Sequence, residues 1–113
     1  MKVTIIASFG FRHGKLKTEE NALVIDVCRA FNRNPCHDKR LRHLRGDDPR
    51  VAADILKTSA FDEHYAQLKR RVRDHEGPVY LGCTGGHHRS VYLGKRLSEE
   101  LGVPVSHLNY DDH

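Results

Sequence analysis

Apolar positions along this chain fall into two rhythms. Val3, Ile5, Ile6 and Ala7 form a short β-branched run that predicts a buried strand over residues 3–7, ending in a loop at Ser8-Phe9-Gly10-Phe11. Residues 12–21 are polar and loop-like, with one helical turn expected at Thr18-Glu19-Glu20. Residues 22–27 read as a second strand carrying Asp26 near its end. The stretch 28–48 is long, basic and irregular, a length of loop that often serves function in a small domain. Pro49 can open a helix with apolar positions Val51, Ile55 and Leu56. Phe61, Tyr65, Leu68 and Val72 then recur at spacings of four, three and four. That period predicts a helix over 62–76 with one buried stripe, stopped by Gly77-Pro78. Residues 79–82 are a third strand, and 90–101 a helix bearing Val91, Leu97 and Leu101 near one face with Gly102 just beyond its end. A short fourth strand is expected over 103–108, and a frayed end at Asp111, Asp112 and His113.

Strands alternating with helices define the fold class as α/β. The expected architecture is a single domain, with helices packed on a mainly parallel central sheet of about four strands. Ligands in such sheets bind beyond the C-terminal ends of the strands. Three loops converge there, at 8–14, 26–37 and 83–89.

Composition narrows the partners only a little. A chain of 113 residues that is 38% hydrophobic can bury one modest core. Its net charge of +4 and pI of about 9.1 suit an anionic ligand or nucleic acid and single out neither. No apolar run approaches the roughly 20 residues that span a bilayer, so no membrane partner is expected. The N-terminus reads as a strand and is too short for a signal peptide. Three cysteines, Cys28, Cys36 and Cys83, make no secreted-type framework and point to a reducing, cytoplasmic location.

The chemistry concentrates in Gly82-Cys83-Thr84-Gly85-Gly86-His87-His88-Arg89-Ser90-Val91. An apolar run leads into it and a helical pattern leads out. A glycine-bearing turn at a helix start presents unpartnered N–H groups and the positive end of the helix dipole. Gly85 and Gly86 let the backbone approach a phosphate, Arg89 offers a planar fork, and His88 and Thr84 add donors. Cys83 and Arg89, five residues apart with Ser90 following, also match the spacing of cysteine-dependent phosphatases. On that alternative Cys83 is the nucleophile, Arg89 the phosphate ligand and Asp26 the general acid. Gly82 stands where tyrosine phosphatases usually have His.

The full motif resembles the signature of the C-terminal domain of the RapZ (YvcJ-like) family. The resemblance continues in order through Ile6-Ala7-Ser8-Phe9-Gly10-Phe11 with Gly14, Asp26-Val27, Asn34-Pro35, Asp38, Leu41-Arg42, Gly46-Asp47 and Val51, and so covers nearly the whole of 1–113. RapZ proteins are RNase adapters with an N-terminal P-loop domain and a C-terminal domain that binds small RNA and senses glucosamine-6-phosphate. No Gly-x-x-x-x-Gly-Lys-[Ser/Thr] occurs here, so the resemblance implies the C-terminal unit without nucleotide hydrolysis. It implies a pocket of Asp26, Cys83, Thr84, Gly85, Gly86, His88, Arg89 and Ser90, with Arg29 and His37 as further ligand candidates. It also implies a phosphorylated small molecule as ligand, RNA and an RNase as partners, and self-association into a homo-oligomer. Two features depart from the family. The segment between Asp26 and Asn34 is two residues longer, and Cys36 stands after Asn-Pro where His is usual.

Two basic stretches remain. Lys39, Arg40, Arg42, Arg45 and Arg50 form one, and Lys69, Arg70, Arg71 and Arg73 the other. They are a candidate track for RNA phosphates or a solvated surface balanced by Asp47, Asp48 and Asp74. Cys28, Cys36, His37, His87 and His88 lack metal-ligand spacing, so neither a metal nor another cofactor is expected. The reading is a regulatory or adapter-type binding domain rather than an enzyme.

Overall fold

The computed structural model describes residues 2–109, so the expectation for residues 111–113 lies outside the described residues. Four strands, β1 (Val3–Gly10), β2 (Leu23–Asp26), β3 (Gly77–Cys83) and β4 (Val105–His107), form one sheet in the order β2-β3-β1-β4. Every pairing is parallel. Three helices connect them: α1 (Pro49–Ile55), α2 (Phe61–Arg73) and α3 (Arg89–Leu101). Short 3-10 turns follow β1 at Phe11–His13 and lie at Pro35–His37. This is the expected α/β domain.

Local chemistry explains the element ends. Asp48 caps α1 by accepting the Arg50 N–H, and Pro49 occupies the first turn, where its missing N–H costs nothing. Gly102 ends α3 in the left-handed region at φ 67°. The helical stripe Phe61, Tyr65, Leu68 and Val72 is buried, together with Val51, Ile55, Leu93 and Leu97. These side chains meet Ile6, Ile25, Val79 and Leu81 on one sheet face. On the opposite face Leu16 and Ala22, in the stretch between β1 and β2, pack against Ala7, Phe9 and Tyr80. No described helix is long and apolar enough to cross a membrane.

Four local expectations are corrected. Ser8, Phe9 and Gly10 continue β1 rather than forming a loop, because they pair with Leu81, Gly82 and Cys83. Thr18-Glu19-Glu20 is not helical. The Ala22 N–H instead closes a turn on the Glu19 carbonyl, and both Glu19 carboxylate oxygens accept from the Tyr80 hydroxyl at 2.9 Å. Gly77-Pro78 does not stop α2, which ends at Arg73, but opens β3. Proline is tolerated at the start of a strand, where its lack of a donor matters least. The fourth strand is shorter than expected, 105–107 rather than 103–108, because β4 meets only Ile6, Ala7 and Ser8.

A polar knot on the helical layer gives a pH test. Glu100 accepts from the Tyr65 hydroxyl at 2.7 Å and lies 3.1 Å from both Lys69 Nζ and Arg96 Nε. These partners, the Tyr65 hydroxyl foremost, hold its carboxyl down from 4.5 to about 2. The unfolded chain therefore takes up this proton first, so stability present above pH 4.5 is lost as pH falls toward 2. Glu100→Gln should flatten that part of the acid-unfolding curve, as read by circular dichroism at a series of pH values.

Candidate functional site

The ends of β1 and β3 lie side by side, with Phe9 paired to Gly82 and Gly10 to Cys83. Residues 84–88 bend sharply beyond them and enter α3. Two glycines make this turn possible. A Cβ on Gly10 would stand 2.3 Å from the Gly85 carbonyl carbon. Gly86 has φ +80°, and a Cβ there would come within 2.6 Å of the Gly10 nitrogen. Backbone thus touches backbone, and no side chain fits between. Neighbouring loops are laced onto the same turn. The Arg12 N–H donates to the Thr84 carbonyl at 3.1 Å, His13 Nε2 meets the Gly85 carbonyl at 3.0 Å, and the Gly46 N–H donates to the His87 carbonyl at 2.7 Å.

The turn walls a cavity of about 90 Å³. Three arginines line it from three segments: Arg12 after β1, Arg42 from the loop before α1, and Arg89 from the first position of α3. Cys83, Thr84, Gly85, His87 and His88 line it from the turn, and Asn34 and Cys36 from the long basic loop. No carboxylate is among the described lining residues. The His88 side chain does not cap α3, and the amides of Gly85 and Gly86 have no backbone acceptor among the described residues. Arginines from three segments, the Gly85 and Gly86 amides and the helix dipole thus converge on one hollow.

Arg89 is only 4% exposed. Its Nη1 donates to the Phe31 carbonyl at 3.0 Å and reaches the Cys28 carbonyl at 3.5 Å, while Nη2 reaches Thr84 Oγ1 at 3.4 Å. Its Nε meets no acceptor among the described residues. One edge of the guanidinium therefore braces the loop after β2, and part of its donor capacity is left over. Cys83 Sγ sits 3.2 Å from Ser90 Oγ, itself 3.4 Å from the Phe9 carbonyl. Cys28 lies just outside, its sulfur 3.8 Å from Thr84 Oγ1, and burial pushes its thiol pKa up against the opposing pull of Arg89.

The expected site residues divide into groups. Cys83, Thr84, Gly85, His88 and Arg89 share the cavity wall. Gly86 and Ser90 stand behind it, buried against β1. Asp26 borders a different hollow with Phe31, His64 and Arg71, and its carboxylate accepts the Cys28 N–H at 2.8 Å. Arg29 is exposed and is not part of the cavity wall. His37 lines an adjoining hollow of about 420 Å³ with Arg33, Asp38 and Asp54, and Asn34 borders both. That hollow is larger, but its two carboxylates are paired, Asp54 with Arg33 at 2.5 Å and Asp38 with Arg40 at 3.0 Å. The smaller one is lined by three arginines and by no carboxylate among the described residues.

The basic stretches are only partly available to an anion. Arg50 is paired with Asp48 at 2.9 Å, Lys69 with Glu100 at 3.1 Å and Arg73 with Asp74 at 3.5 Å. Lys39, Arg70 and Arg71 are exposed, Arg45 is half-buried, and Arg42 belongs to the cavity. Among the described residues no three His, Cys, Asp or Glu side chains form a metal-binding group. Sequence reasoning did not assign Arg12 or Cys36 to the cavity. Their positions in two of the three converging loops were the available signal.

Fold and site define a class: a small parallel α/β domain whose strand-to-helix turn is ringed by arginines. Residues 1–110 match the sequence profile of the RapZ C-terminal domain, and the chain belongs to that family. Similar proteins include a nucleotide-binding protein of Deinococcus radiodurans, 34% identical, matched over 96% of this chain and 40% of its own length. One from Rhodospirillum rubrum is 41% identical over 85% of this chain and 32% of its own. One from Heliobacterium modesticaldum is 35% identical over 98% and 40%. The chain thus spans at most 40% of these three relatives' length.

Proposed function

We propose that this domain is a regulatory binding module that holds a phosphorylated metabolite at the turn over residues 83–90. The observation that carries the reading is the cavity wall of Arg12, Arg42 and Arg89, with no carboxylate among the described lining residues, at the start of α3. An oxyanion there would accept from the guanidinium groups that line the wall and from the Gly85 and Gly86 amides, which have no backbone acceptor among the described residues. The family resemblance narrows the ligand class to an amino-sugar phosphate such as glucosamine-6-phosphate. RNA phosphates would compete for the same cations, with exposed Arg70 and Arg71 on α2 as an extension.

Titration calorimetry with inorganic phosphate and with glucosamine-6-phosphate tests this. Arg12 is exposed, and its guanidinium lies over Gly85, 3.4 Å from where a Cβ there would be. Arg12→Ala should weaken both ligands by about tenfold, ~1.4 kcal/mol, with an unchanged melting temperature. Equal affinity in the variant would remove the cationic cavity as the binding site.

The contact between Cys83 Sγ and Ser90 Oγ favours one second reading, phosphate-ester hydrolysis with Cys83 as nucleophile. Asp26, at a different hollow, supplies no acid at this wall. Release of phosphate from an aryl phosphate, lost in Cys83→Ser, would support it. No release by the unmutated protein would end it.

A further inference from the structure

The three cysteines, two from the loop after β2 and one from the end of β3, gather at one place. Cys36 and Cys83 line the arginine cavity, and the Cys28 sulfur touches Thr84 of the same wall. They differ in access. Cys83 is 2% exposed, Cys28 is half-buried with its pKa raised by burial, and Cys36 is exposed. An open thiol therefore sits at a small cationic hollow that also contains the buried Arg89 guanidinium, whose Nε has no acceptor among the described residues. Reagents that carry negative charge would be drawn to that thiol.

We infer that Cys36 is a thiol-modification site for anionic disulfides, and that the adduct closes the anion cavity. The inference rests on the anion-binding reading above. The Cys36 thiolate attacks one sulfur of the incoming disulfide, and its proton goes to solvent. A new S–S bond forms as the reagent's own breaks. The second sulfur leaves as a thiolate with the electron pair, so Cys36 is oxidised and the leaving sulfur reduced. The bound half brings its carboxylate to a wall that Cys36 shares with Arg12, Arg42 and Arg89, and its bulk fills a space of only about 90 Å³. A thiol reductant reverses the step.

Phosphate binding to the untreated domain is measured first, by calorimetry. The domain is then treated with dithiobis(nitrobenzoate), which carries two carboxylates, or with uncharged dithiodipyridine, and the adduct is located by peptide mass mapping. The expected adduct is on Cys36. Its formation should favour the charged reagent at least tenfold over the same ratio on a small free thiol, and saturating phosphate should slow it at least tenfold. The adduct should lower phosphate affinity at least tenfold, with reductant restoring it. Cys36→Ser should abolish the fast reaction, and Cys28→Ser should keep it. An adduct on another cysteine, no preference for the charged reagent, or unchanged phosphate affinity with Cys36 modified would overturn the inference. If the untreated domain binds no phosphate, the anion-binding reading itself fails before any thiol is touched, so the two failures are told apart.

Discussion

Arg89→Ala should abolish phosphate binding, lowering affinity by about a hundredfold or more, ~2.7 kcal/mol. The side chain does two jobs at once. The residue lines the cavity and its buried Nε has no acceptor among the described residues, while Nη1 braces the Phe31 carbonyl at 3.0 Å. Truncation leaves that carbonyl without its donor, a further cost to stability of about 1–3 kcal/mol. The two effects separate in Arg89→Lys. An ammonium keeps the charge but loses the fork, so part of the phosphate affinity should return while the brace does not. Calorimetry and thermal melts on both variants give the check. Full phosphate affinity in Arg89→Ala would exclude Arg89 as a ligand.

Gly10→Ala should be among the most disruptive single methyl additions in the domain. The added carbon would overlap the Gly85 carbonyl carbon and oxygen at 2.3 and 2.5 Å, and both are backbone atoms that no rotamer change can move. Either β1 or the turn must shift. A cost of about 2–4 kcal/mol is expected, a large share of the stability of a small domain. The cavity should lose phosphate binding with it, because the turn is seated on Gly10. Gly14→Ala is the contrast. Gly14 has positive φ, at +98°, but no heavy atom lies near its added Cβ, so only backbone strain of about 1 kcal/mol applies. Equal melting temperatures for these two variants would contradict the seating of the turn on β1.

Much of the site was legible because its chemistry is local. A strand, two glycines and a helix start are consecutive in the chain, and consecutive residues stay together however the rest folds. Cys83, Thr84, Gly85, His88 and Arg89 could therefore be assigned to one wall from the motif. Asp26 shows the limit. It belongs to β2, which pairs with β3 at Gly82, yet it borders a different hollow with Phe31, His64 and Arg71. The misread helical turn at residues 18–20 has the same origin, since a long-range partner, Tyr80, claims Glu19.

Periodicity and turn residues on their own specified an alternating α/β chain, its buried helical stripe and a glycine turn opening on a helix. Those features depend on neighbours within a few positions, and short-range sterics and amphipathicity dictate them. That Arg12, Arg42 and Cys36 join Arg89 around one cavity came from the packed molecule alone. It follows from the strand order β2-β3-β1-β4, which sets the end of β1 against the end of β3 and draws both loops over the turn. Strand order is chosen by how the whole apolar core closes, and no local pattern carries that choice.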